Sequence, residues 1–131
     1  MNKRGLEPPE YGDPEACRSL GGVLDRIGDK WAVMVVGTLS HGPMRFNALM
    51  RHIGSVSHRM LTLTLRGLER DGLVRRTAWP TTPPRVEYEL TDVGRSLIEP
   101  LVTLAHWAEQ NRETIEDARA RYDVANQDLP S

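Results

Sequence analysis

Residues 55–76 read SVSHRMLTLTLRGLERDGLVRR and bring Arg59, Arg66, Arg70, Arg75 and Arg76 into one short segment of a chain whose formal net charge is only −1. Between Met44 and Arg95 stand nine arginines against five acids, and the remaining residues hold eight lysines and arginines against thirteen acids. This division of sign fits a basic contact surface on an acidic body, and a polyanion is the partner such a surface suits. A merely solvated face would have the same composition, so the spacing of the residues has to separate the two readings.

Other reactive chemistry is sparse. His41, His52, His58 and His106 are scattered with no metal-ligand spacing, and Gly21-Gly22 falls inside a helical pattern rather than a phosphate loop. The pattern points away from an enzyme, and neither a metal nor a cofactor is expected. A single cysteine excludes an internal disulfide framework and a cysteine-based zinc cluster. Cys17 has two readings. Near a helix N-terminus and beside Arg18, its thiolate would be an activated nucleophile, open to oxidation to a sulfenic acid, a mixed disulfide or a bond between subunits. Otherwise it is a small buried hydrophobe.

The elements that must position these groups are legible from periodicity. The chain has 131 residues, 39% hydrophobic and 27% charged, which suits one soluble domain with a real core. Its longest apolar run, Trp31 to Leu39, is half the length of a membrane span, and the N-terminus has no apolar signal region, so a cytoplasmic protein with no membrane partner is expected. Residues 1–16, rich in proline and glycine, read as a flexible arm, and residues 123–131 as a flexible tail. Between them, residues 17–122 form the expected domain. A helix over 17–27 ends at Gly28-Asp29, and a largely buried one follows over residues 30–40 with Trp31 in the core. Gly37 within it suggests close packing. A very short strand at Met44-Arg45-Phe46, a helix over 47–52 and a turn at Gly54-Ser55-Val56 come next.

Ser57 then caps a fourth helix. Leu61, Leu65 and Leu68 share its inner face, while Arg59, Thr62, Leu63, Arg66 and Arg70 share the outer one. Asp71-Gly72 ends the helix. Val74 to Trp79 and Arg85 to Leu90 alternate as two antiparallel strands around a proline-rich loop. Thr91 caps a final helix, apolar from Val93 to Trp107. The fold class is mainly α with a small antiparallel β wing, a winged helix-turn-helix.

In such folds the second helix of the pair enters the major groove of double-stranded DNA, leading with its N-terminal residues. Ser57 and His58 can meet a phosphate at the helix N-terminus, and Arg59, Thr62 and Arg66 are presented nearby. Leu63 could touch a thymine methyl or pack on a neighbouring helix. Arg70 suits a phosphate or a surface ion pair. Arg45 suits a phosphate or plain solvation, and Arg75, Arg76 and Arg85 at the base of the wing suit phosphate. Arg85 could also pair with Glu87 across the hairpin.

The segments LDRIGDKW (24–31), GPMRFNAL (42–49), SHRMLTLTLRGLERDGLVRR (57–76) and PPRVEYELTDVGRSL (83–97) together resemble the HxlR family of bacterial winged-helix transcription regulators. They occur in the family's order over roughly residues 17–110. The resemblance implies a homodimer on a short inverted repeat. It also implies dimer contacts from the first and last helices, here Leu20 and Leu24 with Leu101, Leu104 and Trp107. In some relatives a cysteine near the start of helix one senses oxidants or electrophiles, a role that would fall to Cys17. The chain departs from the family pattern at Leu63, at Gly67 and in a wing tip, Thr81-Thr82, without a basic residue. The expected function is therefore a sequence-specific regulator, expected to repress, for which one of the two readings of Cys17 adds a response to thiol oxidation or electrophiles. The alternatives are a regulator answering to a small molecule, which the sequence does not name, and a winged helix that binds protein instead of DNA.

Overall fold

The computed structural model describes residues 21–22 and 24–127. Cys17 and Leu20 lie outside the described residues. Residues 24–27 are helical, and the Gly28 amide closes that turn on the Leu24 carbonyl at 2.7 Å. Asp29 then starts α1 (Lys30–Leu39), its carboxylate accepting from the Trp31 amide at 3.0 Å. Strand β1 (Met44–Arg45) leads into α2 (Phe46–Ile53), and α3 (His58–Arg70) follows a short turn. Strands β2 (Val74–Trp79) and β3 (Arg85–Leu90) form the hairpin expected from their alternation. β1 pairs antiparallel with β3 as well, so the sheet has three strands in the order β1-β3-β2.

The core follows from helical and strand periods. Ala32, Val35, Val36 and Leu39 of α1 meet Leu49 of α2 and the Leu61, Leu65, Leu68 stripe of α3, with Val74 and Leu90 closing the sheet side. Burying a leucine fully contributes about 1.5–3 kcal/mol, so these side chains dominate the stability of the unit. Two expectations for α1 are corrected. Gly37 is exposed and a Cβ there would meet nothing within 4 Å, because it shares the outward face with the exposed Met34. Trp31 is half-buried, with the Lys30 ammonium 4.7 Å from its ring centroid.

Packing divides the chain after Arg95. That point falls at the end of α4 (Asp92–Ser96), and the second unit contains α5 (Ile98–Ala125). Two helices thus stand where the sequence pattern suggested one. Pro100 accounts for the break: it has no N–H to give to Ser96 and its ring clashes with the carbonyl four residues back. Starting α5 at Ile98 puts Pro100 in a first turn, where the missing donor costs nothing. The helix also continues to Ala125, past Tyr122, where the Asn126 amide and side chain both donate to the Tyr122 carbonyl.

Thr91 is the expected cap, but of α4. Its hydroxyl accepts from the Gly94 amide at 3.1 Å and donates to the Gly72 carbonyl at 2.6 Å, and its amide donates to the Leu73 carbonyl at 3.1 Å. Gly72 itself adopts φ +76°, which lets the chain leave α3 in the left-handed conformation. Gly94 is buried against this turn. A Cβ there would run into the Leu73 carbonyl oxygen and come within 3.2 Å of the Leu90 side chain. Gly94→Ala is therefore expected to cost about 1–3 kcal/mol through overpacking against backbone, read as a lower urea midpoint at unchanged slope.

Candidate nucleic-acid interface

Helices α2 and α3 form a helix-turn-helix joined by residues 54–57, with Gly54 at φ +86° and Val56 buried beneath the turn. Ser57 opens α3 in extended conformation, and its hydroxyl accepts from the Met60 amide at 3.0 Å. This local chemistry sets where the helix begins and hence which residues occupy its first turn. His58 is exposed but not isolated: its ring stacks, tilted by 51°, on Phe46 at 4.7 Å between centroids. Thr62 donates back to the His58 carbonyl at 2.9 Å.

Because Leu61, Leu65 and Leu68 are buried, the 100° step per residue turns Arg59, Leu63, Arg66 and Arg70 outward, and all four are exposed. Leu63 is 46% exposed, which resolves its two readings against packing within the described part of this unit. The guanidinium groups of Arg59, Arg66 and Arg70 have no ion-pair partner among the described residues. The outer face of α3 is thus a row of exposed cations, unpaired among the described residues, flanking one apolar side chain.

The three wing arginines, expected to act together, are separated by the two-residue period of the strands. Val74, Arg76 and Ala78 pair with Leu90, Tyr88 and Val86, the face that carries the buried ends of both strands. Arg75, Thr77 and Trp79 pair with Glu89, Glu87 and Arg85 on the opposite face. Arg75 forms a 3.1 Å ion pair with Glu89. Arg85 bonds to Glu87 two residues along the same strand rather than across the hairpin, and its guanidinium lies 4.2 Å from the Trp79 ring centroid. Arg76 alone of the three faces α3. With Arg66, Thr62, Leu65, Glu69 and Tyr88 it lines a concavity of about 360 Å³ between helix and wing.

A further basic concavity of about 430 Å³ lies beside the start of α2. Arg45 lines it as part of the expected set, and Asn47 and Arg51 were not anticipated. The signal was available: Phe46, Leu49 and Ile53 take one side of α2, so Asn47, Ala48 and Arg51 must share the other. Arg45 and Arg51 are both exposed.

Of the expected dimer contacts within the described residues, Leu24 in the first unit is 49% exposed. Within the second unit, no residue of α5 is buried; Leu101 is half-buried, and Leu104 and Trp107 are each 54% exposed. No helix among the described residues is long and apolar enough to cross a membrane, and no group of three or more histidines, cysteines or acids among them is arranged to hold a metal.

A helix-turn-helix backed by a three-stranded wing, with its second helix amphipathic and basic outside, defines a winged helix-turn-helix protein. Residues 26–116 match the family model of the HxlR-like helix-turn-helix. The chain belongs to this family of transcriptional regulators. It is 43% identical over 103 residues to an uncharacterised HTH-type transcriptional regulator of Methanothermobacter thermautotrophicus, covering 79% of each chain. It is 39% identical over 125 residues to the uncharacterised HTH-type regulator YybR of Bacillus subtilis, covering 95% of this chain and 96% of that one. Among solved structures, the redox regulator HypR in its reduced form superposes with a TM-score of 0.69 at 40% identity, over 76% of this chain and 98% of that one.

The cap on α3 can be tested alone. Ser57→Ala should lower the unfolding free energy by about 1 kcal/mol, because the Met60 amide loses its acceptor, measured by urea denaturation. Ser57→Asp should retain most of the wild-type stability.

Proposed function

We propose that the protein is a sequence-specific regulator, expected to repress, that binds an inverted repeat in double-stranded DNA as a homodimer. The single observation that carries this reading is the outer face of α3, where Arg59, Arg66 and Arg70 are exposed and without an ion-pair partner among the described residues, on a helix whose other face is buried. A helix of this kind fits the major groove, with Arg59 suited to guanine and Leu63 to a thymine methyl. Ser57, His58 and Thr62 lie at the leading end, and Arg45, Arg76 and Arg51 are poised for flanking phosphates. Arg75 and Arg85 are weaker contributors, since Glu89 and Glu87 already neutralise them. The exposed Leu24, and Leu101, Leu104 and Trp107 on α5, supply apolar surface for dimerisation, with Leu20 as a further contact.

Fluorescence anisotropy with a duplex selected from a random pool by the full-length chain tests the reading. Affinity should fall steeply with salt as counterions are released. Arg59→Ala and Arg66→Ala should each lose about 1–3 kcal/mol where they read a base. Arg76→Ala should reduce the salt slope by about one per subunit, and Arg75→Ala by less. Failure of selection to enrich any duplex, with no salt-dependent binding, would overturn the reading in favour of a protein-interaction module.

Thiol sensing through Cys17 is the form of regulation favoured by one further observation. HypR, described as a redox regulator, is also solved in an oxidised form, which is 41% identical to this chain with a TM-score of 0.64. Oxidation of Cys17 would act by shifting the dimer and so misplacing two α3 helices relative to successive major grooves. Treatment with a thiol oxidant should abolish operator binding by the wild type and leave Cys17→Ser unaffected. Equal responses from both proteins would discard the sensor and direct the search to a small-molecule effector.

A further inference from the structure

Arg26, just before the break at Gly28-Asp29, reaches the far end of α3. Its Nε lies 2.6 Å from Asp71 Oδ2, and the two side chains are 27% and 34% exposed. The guanidinium also lies directly over Gly67. A Cβ at Gly67 would coincide with the guanidinium group, with Nη2 at 2.8 Å and Nη1 and Cζ closer still. Glycine within a 13-residue helix is otherwise unfavourable, and here, in the last turn, it opens the slot that the guanidinium fills. Asp71 is the C-cap of α3, where a carboxylate meets the negative end of the helix dipole. A cation at that point complements the dipole and neutralises the carboxylate together.

We infer that Arg26, Gly67 and Asp71 form a clamp in which Arg26 is a positioning residue: it holds the C-terminal half of α3 against the segment before α1 and so sets the tilt at which α3 meets DNA. The inference rests on the DNA-binding reading of α3. Arg26 is not a DNA contact in this scheme, because its guanidinium is committed to Asp71. Leverage explains why the far end matters. Thirteen residues span about 20 Å, so a tilt of about 10° at the clamp moves the first turn by about 3 Å. That displacement is as long as a hydrogen bond, enough to take Arg59 and Thr62 out of register with base edges. The clamp also ties α3 to residues 24–27, the segment carrying the exposed Leu24, so that a shift there reaches the recognition surface through one ion pair.

The sign of one substitution separates this role from simple electrostatics. Asp71→Asn removes a negative charge near DNA, which by charge alone strengthens binding; through the clamp it weakens it. With full-length protein and the duplex selected by the wild type, Asp71→Asn, Arg26→Ala and Gly67→Ala should each lose on the order of five- to tenfold in affinity. The slope of log affinity against log salt should stay at the wild-type value, since no phosphate contact is removed. Gly67→Ala displaces only the end of a flexible side chain, so the fold is kept, and adding it to Arg26→Ala should cause no further loss. Unchanged or tighter binding by Asp71→Asn overturns the clamp. So does a slope reduced by about one in Arg26→Ala, which would make Arg26 a phosphate contact. If the wild type binds no duplex, the functional reading fails on its own account. The clamp is then judged by amide hydrogen exchange, where Arg26→Ala and Asp71→Asn should speed exchange over residues 67–73. Exchange at the wild-type rate overturns it.

Discussion

The arrangement depends on one constraint: α3 must bury one face and expose the other at the same time. Leu61, Leu65 and Leu68 are essentially inaccessible, and their burial against α1 fixes the helix about its own axis. Once that rotation is fixed, the 3.6-residue period leaves no choice about where Arg59, Leu63, Arg66 and Arg70 point. The hydrophobic effect sets the direction of the cations, and no polar contact is needed to aim them. Ser57 contributes the remaining coordinate, the starting point of the helix along its axis.

The wing works by a different logic. A strand turns successive side chains to opposite faces, so Arg75 and Arg76 cannot act on the same surface however close they stand in sequence. The outer face pairs each of its arginines with a glutamate and stacks Arg85 on Trp79, and exposed pairs of this kind contribute at most about 1 kcal/mol each. Their effect is mainly to remove positive charge from one side of the hairpin. Arg76 keeps its charge on the side that faces α3, where it joins Arg66 in the concavity between helix and wing. The basic surface is thereby narrower than the arginine count suggests, and more directional.

Turn chemistry joins the two. The chain leaves α3 through Gly72 in the left-handed conformation, and Thr91 locks that exit by donating to the carbonyls of Gly72 and Leu73 while its hydroxyl accepts from the Gly94 amide. Bonds that reach 19 positions along the chain thus define the base of the wing. Gly94 has a role that its position in α4 does not reveal, since only the absence of a side chain lets the backbone of Leu73 approach so closely.

Much of this was legible in the sequence because it is local. The apolar spacing in α3, the Ser57 cap, the Asp71-Gly72 exit and the limits of β2 and β3 depend on residues within a few positions of one another, and those elements formed where the pattern put them. The helix after Thr91 is less legible, because its apolar content hides the steric demand of Pro100, which moves the start of α5 to Ile98. The two-sided character of α2, which brings Asn47 and Arg51 beside Arg45, follows from the helical wheel. What tertiary structure alone decided is which charges are neutralised and which glycines are filled. Gly37 stands open and Gly67 lies under the guanidinium of Arg26, though both look alike as single glycines within helices. The pairing of Arg26 with Asp71 spans 45 positions, and no local propensity encodes it. Periodicity determines the direction in which a side chain leaves its own element; what it meets there depends on how the elements pack.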